Sequence, residues 1–413
     1  MMKCSKTFKS LLSLTLAAVL CLGGMTAAFA DPGPAGNDDV HIQKVLQTPQ
    51  GTPIPAAAGF SFYFDFTAKY YDTDGNTLVN GVQMPIPNAI QIDVLSTDTP
   101  VTNTGLDTYT KASGKIFDGV AWTAPGMYVY EIAERPTTYT NAATGETMTD
   151  STVKYQVVAY VENDSPSGFK VADIVVWTLD PSTGDRVAKI DTSTGFVFTN
   201  VYEVNGGQTA ANPALTVSKT VATNPKADYN RYFPFQIDTT IAATQTGTVT
   251  YLAYLKDATG IIAPVAANGE GTNFTATTDG SGKPCIAVTP GTPLNINLKH
   301  GQSVAFVDML VGSTFTAKET AVANYQGSIA LTLGGSSSNI PTPGYGAEVS
   351  TGEARLGAGE NTAAFTNEVN ATAITPTGIS TNDLPFIAMI LLAIGAMAAY
   401  VVIKSRKKSS NEN

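Results

Sequence analysis

The sequence predicts an all-β protein built as two tandem β-domains, and two observations predict it. Short runs of Thr, Val, Tyr and Phe alternate with polar residues and are punctuated by Gly, Pro, Asn and Asp. That is the pattern of half-buried strands. The same order of features then occurs twice, on either side of Asn205 to Pro213, which marks a duplicated unit. No long helical period occurs except at the two ends of the chain.

The first element, residues 1–30, reads as a secretory signal peptide. Lys3, Lys6 and Lys9 precede an apolar run from Leu11 to Leu22, and Ala28-Phe29-Ala30 offers a small-x-small cleavage site before Asp31. Cys4 and Cys21 leave with it. The mature chain keeps only Cys285, so an internal disulfide is excluded and stability must come from elsewhere. Of 24 Lys and Arg, 3 lie in the signal and 4 in the C-terminal tail. Of 34 Asp and Glu, Asp383 and Glu412 lie beyond Gly378. The mature balance is therefore 17 − 32 = −15, which argues against nucleic acid as a partner.

The next element is a first β-domain over residues 31–204. Ile42, Lys44 and Leu46 alternate in its opening strand. Phe60, Phe62, Phe64 and Phe66 follow, then Tyr128, Tyr130, Ile132 and Glu134. Phe196, Phe198, Asn200 and Tyr202 close it. Residues 205–213, with Gly206-Gly207 and Asn212-Pro213, are turn and linker residues. The second domain, residues 214–371, repeats the order. Its opening strand carries Leu215, Val217, Lys219 and Val221. Phe233, Phe235 and Ile237 come next, then Phe315, Ala317 and Glu319, and finally Phe365, Asn367 and Val369. The offsets agree: 219 − 44 = 175, 319 − 134 = 185 and 367 − 200 = 167.

The last element, residues 372–413, reads as a sorting signal. Ile374-Thr375-Pro376-Thr377-Gly378 resembles a relaxed LPxTG motif, which implies cleavage by a sortase between Thr377 and Gly378. An uncharged apolar stretch from Leu384 to Ile403 follows, long enough to span a membrane. Lys404, Arg406, Lys407 and Lys408 then keep the tail on the cytoplasmic side.

Side chains at i, i+2 and i+4 share one face of a strand. In both domains Lys, Glu and Asn share the face of the apolar residues, which should be the core. Buried lysine is rare unless paired. Two readings fit. One is an ion pair, Lys44 with Glu134 and Lys219 with Glu319, beside a hydrogen-bonding Asn. The other is a self-formed isopeptide bond, Lys44–Asn200 and Lys219–Asn367, with Glu134 and Glu319 as promoters. Burial disfavours both charged forms, so the proton can pass to Glu and leave a neutral amine nucleophile. Glu131 has the opposite parity and should face solvent.

Lys in the opening strand, Glu after an aromatic strand and a closing Phe-Thr-Asn resemble the pilin isopeptide-linkage domains of Gram-positive backbone pilins. Leu215-Thr-Val-Ser-Lys-Thr-Val221 and Pro125-Gly-Met-Tyr-Val-Tyr-Glu-Ile-Ala-Glu134 carry the likeness, as do Leu298 to Val304 and Val311-Gly312. The resemblance implies immunoglobulin-like β-sandwiches, each with a bond between first and last strands. It implies a shaft subunit of a cell-surface pilus and partners of three kinds: a sortase, neighbouring copies of the chain and peptidoglycan. It also implies an acceptor lysine for the next subunit's Thr377. Lys189 is the candidate, against the alternative of a solvated loop lysine. A monomeric wall-anchored adhesin or stalk shares every feature except that acceptor.

An enzyme acting on external substrates is not expected. His41 and His300 occur in unrelated settings, and no Gly-x-Ser-x-Gly, His-Glu-x-x-His or Cys/His ligand spacing is present. No metal and no cofactor is expected. Asp72-Thr-Asp-Gly-Asn76 lacks the downstream Glu of an EF-hand loop and reads as a hairpin turn.

Overall fold

The computed structural model describes residues 38–372, except 57–58, 73–83, 138, 142–144, 165, 167 and 266–273, together with a C-terminal helix over 384–409. The signal peptide, most of the Asp72–Asn76 turn and the Ile374–Gly378 motif, with Thr377 and Gly378, lie outside these residues. The architecture is all-β, in several sheets. Among the described residues the helices are one short 3-10 turn, Thr192–Thr194, and the C-terminal helix.

Two six-stranded sheets enclose the first core. One runs, in spatial order, Val101–Asn103, Leu106–Lys115, His41–Pro49, Phe196–Val204, Glu146–Thr149 and Thr140–Asn141. The other runs Arg186–Ile190, Gly168–Leu179, Lys154–Asp164, Gly126–Glu134, Phe60–Asp72 and Ile90–Val94. The alternation read from the sequence is what buries. Phe60, Phe62, Phe64 and Phe66 all point into the core beside Tyr128, Tyr130 and Ile132, because successive strand residues face opposite ways.

The second core lies between a nine-stranded and a five-stranded sheet. The larger holds the opening strand Leu215–Val221 and the closing strand Thr362–Val369 side by side. The smaller carries Phe233–Thr239 and Thr314–Glu319. The apolar residues of 214–369 form a core cluster separate from that of 40–204.

In each half the first and last strands pair in parallel. Lys44 lies opposite Phe198, and Asn200 opposite Leu46. Lys219 lies opposite Phe365, and Asn367 opposite Val221. Each Asn thus sits two positions beyond the residue facing the Lys. Two positions preserve the face, so both side chains enter the core as diagonal neighbours.

Residues 205–213 differ from a loose linker. Gln208–Thr209 pairs with Asn212–Pro213 as a small hairpin, and Asn205 bridges to Leu310. The Gly206 amide donates to the Met309 carbonyl, and the Val311 amide donates to that of Val204. Gly312 has φ +87°, and a β-carbon there would lie 2.6 Å from Pro49 Cβ. Turn-forming residues are present as the sequence suggests, but their backbone groups are spent on contacts to both flanking sheets.

The C-terminal helix, Leu384–Ser409, exposes Ile390, Leu391, Leu392, Val401 and Ile403. Among the described residues no helix is long and apolar enough to cross a membrane. The expected span from Leu384 begins with side chains outside that set.

Candidate functional site

The structure brings Lys44, Glu134 and Asn200 together in the first core, and Lys219, Glu319 and Asn367 in the second. In each case Lys and Asn come from the paired first and last strands, while Glu reaches across from the facing sheet. Lys44 and Asn200 are wholly inaccessible, Lys219 and Asn367 are 1% exposed, and Glu134 and Glu319 are 7% and 3%.

At the first triad the Lys44 Nζ lies 2.7 Å from Glu134 Oε2 and 2.5 Å from Asn200 Oδ1. Asn200 Nδ2 donates to Glu134 Oε1 at 2.6 Å. The three groups form a closed ring. Its wall is aromatic: Nζ stands 4.1 Å from the centre of the Phe62 ring, and Phe64 packs on Phe198. At the second triad Lys219 Nζ lies 2.9 Å from Glu319 Oε2, and Asn367 Nδ2 donates to Glu319 Oε1. Phe233 takes the place of Phe62, 4.2 Å from Nζ, and Phe235 packs on Phe365.

Burial dominates the electrostatics. Desolvation pulls the Lys44 amine down to about 8 from 10.5, against the pull of the Glu134 carboxylate. It brings Lys219 down to about 8 against Glu319. Desolvation also pushes the Glu134 carboxyl up, with Lys44 opposing. The two shifts lower the cost of moving the proton from amine to carboxylate, which yields a neutral nucleophile beside an amide carbonyl. A protonated Glu, in contact with the Asn Nδ2, can then deliver its proton to that leaving nitrogen. The aromatic wall excludes the water that would compete, and the fold supplies orientation.

Two groups at the first triad carry no signal in the sequence. Asp150 Oδ1 accepts from Asn200 Nδ2 at 3.2 Å, and the Ser151 amide donates to Asn200 Oδ1 at 2.9 Å. They lie outside the strands, where no alternation marks a residue as inward-facing.

The remaining residues singled out in the sequence lie apart. Lys189 is exposed on Arg186–Ile190, an edge strand of its sheet, opposite Trp177. Glu131 points away from the core but is only 17% exposed, held between Lys69 at 2.7 Å and Lys154 at 3.2 Å. The expectation that it simply faces solvent is corrected accordingly, since those two lysines of neighbouring strands cover it. His41 bonds the Ser113 carbonyl, and His300 accepts from the Val221 amide. Among the described residues no cluster of His, Cys, Asp and Glu could hold a metal ion.

Residues 213–369 match a family described as a domain of unknown function, DUF7601. No curated protein matches the chain. Its structural neighbours are streptococcal major pilin and pilus adhesin structures. The major pilin of Streptococcus pyogenes is 18% identical, over 81% of this chain and 99% of that one, with a TM-score of 0.31. The major pilin T3.2 of a second S. pyogenes serotype is 19% identical over the same shares, at 0.33. A pilus-presented adhesin is 16% identical over 52% of this chain and 36% of that one, at 0.22.

Proposed function

We propose that this chain is a structural shaft subunit of a sortase-assembled pilus on a Gram-positive surface, stabilised by two self-formed amide bonds, Lys44–Asn200 and Lys219–Asn367. The observation that carries the reading is the duplicated buried triad. An ion pair alone would be a poor reason to bury a lysine, a glutamate and an asparagine in an apolar core twice over, since desolvation offsets most of the attraction. A bond between the amine and the amide removes that cost. It consumes the charge, releases ammonia and happens once per site, so the chain modifies itself and turns over no external substrate.

The location of the bonds suits a load-bearing part. Each joins the first and last strands of its domain. Tension arriving from the C-terminal side would pass from Asn367 to Lys219 and leave the residues between them unloaded. This supplies mechanically what the single Cys285, buried and unpaired, cannot. The two ends of the chain complete the reading. Residues 1–30 direct secretion, and the apolar stretch from Leu384 with its basic tail retains the chain until sortase cuts at Thr377. The Thr377 acyl group then passes to an amine of the next subunit, or finally to peptidoglycan. The test is a wall extract resolved in hot detergent and probed with antibody to the chain. A ladder of covalent multimers is expected. Monomer alone would overturn the shaft role and leave a singly anchored adhesin or stalk.

A further inference from the structure

The two triads are not equivalent. At the first, every hydrogen-bonding position of the Asn200 amide is occupied. Nδ2 donates to Glu134 Oε1 and to Asp150 Oδ1, while Oδ1 accepts from Lys44 Nζ and from the Ser151 amide. At the second, Asn367 Nδ2 donates to Glu319, and Oδ1 is buried with no partner among the described residues. An orphaned buried acceptor is unusual, and it makes the fully used amide of the first site the more informative of the two.

Asp150 is itself fixed. The Thr137 amide donates to its Oδ2 at 2.9 Å, and the Thr137 hydroxyl to its Oδ1 at 2.7 Å. Thr137 follows Glu134 by three residues, so one stretch of chain positions both carboxylates. Ser151 comes next in sequence, which aims its N–H at the carbonyl oxygen.

We infer that Asp150 and the Ser151 N–H are further catalytic groups of the first cross-linking site, absent from the second: the N–H receives the oxyanion and the carboxylate holds the departing nitrogen. The inference rests on the self-cross-linking reading above. The neutral Lys44 amine forms a bond to Asn200 Cγ, and the carbonyl electron pair moves onto Oδ1. The Ser151 N–H already points there, so stabilising that charge requires little rearrangement. A proton leaves Nζ for Glu134 and passes to Nδ2. The Cγ–Nδ2 bond breaks with its electron pair going to ammonia, and the pair on Oδ1 restores the carbonyl. One amine and one carboxamide become one secondary amide and one ammonia, with no change of oxidation state. The Asp150 charge acts both ways on the proton: it favours a protonated Glu134, which helps, and a protonated Lys44, which does not. Its service therefore lies in the contact with the amide.

The test follows ammonia loss in pulse-labelled full-length chain. Samples are quenched in acid and digested, and the two cross-linked peptides are quantified by mass spectrometry. Three chains are compared: wild type, Asp150→Ala and Ser151→Pro. The second site lies in a separate core and controls for synthesis and handling, while tryptic digestion of the first domain, compared with unbonded Glu134→Gln, reports whether its fold is intact. Asp150→Ala should slow the first site by about tenfold or more, the factor for losing a hydrogen bond to a charged group. Ser151→Pro should slow it by about 10²-fold, as for an oxyanion donor. The second site should keep its wild-type rate in both. An unchanged first-site rate in Asp150→Ala overturns this inference alone, and slowing in a first domain that digests faster than that of Glu134→Gln counts against it as a folding effect. Absence of both bonds from the wild type would instead overturn the reading on which it rests.

Discussion

Replacing Glu319 with glutamine keeps the volume of the side chain and removes the carboxylate that must carry the proton. The Lys219–Asn367 bond should then fail to form. The bond would close a loop of 367 − 219 = 148 residues. Chain-entropy arithmetic for a cross-link of that span gives about 5 kcal/mol of stabilisation, acting through the unfolded state. For a domain of this size each kcal/mol is worth about 2–4 °C, so the second domain should melt about 10–20 °C lower. Differential scanning calorimetry on the chain from Asp31 to Thr377 should show the first-domain transition unmoved and the second displaced downward. The variant also leaves Lys219 buried without its counter-charge, so Lys219→Met, which lacks both amine and bond, gives the comparison. A Glu319→Gln protein shown by mass to lack the bond, yet melting within about 3 °C of wild type, would refute the entropic argument.

Two further outcomes follow from the same geometry. In an Asn200→Ala protein no bond can form and the Lys44 amine stays in place. Its depressed value comes from burial, with Glu134 and Asp150 opposing, and Asn200 is not among the causes. Between about 8 and 10.5 the unfolded chain then holds a proton that the folded chain lacks. Stability must therefore rise with pH across that window and be flat just below it. Melting temperatures from pH 7 to 10 should show the rise, and adding Lys44→Met should abolish it. A fall across the window in the single variant would contradict the burial argument. Separately, Lys189→Arg should reduce the wall-extract ladder to monomer while leaving both internal bonds in place. A ladder that persists would assign the acceptor to another lysine.

Much of the fold is legible in the sequence because a strand's period is short. Phe60 to Phe66 and Ile42-x-Lys44-x-Leu46 declare their inward face by alternation alone. All of these residues are buried. The same rule places Lys219 and Asn367 inside without reference to any partner. Alternation cannot say which strands adjoin. The parallel pairing of His41–Pro49 with Phe196–Val204 links residues more than 150 positions apart, and the Lys44–Asn200 contact depends on it. Alternation is also silent outside strands, so nothing in the sequence marks Asp150 and Ser151, although both touch the Asn200 amide. Gly206 and Gly207 were readable as turn formers, but not as residues spent on a hairpin pinned to Met309.

The central claim is that the lysines and asparagines become covalently joined, and the intact mass of the purified chain from Asp31 to Thr377 tests it most directly. The account predicts a mass lower than that of the unmodified sequence by two molecules of ammonia. One should be restored in Glu134→Gln and the other in Glu319→Gln. A wild-type mass equal to the unmodified sequence would contradict it, leaving the two triads as buried ion pairs.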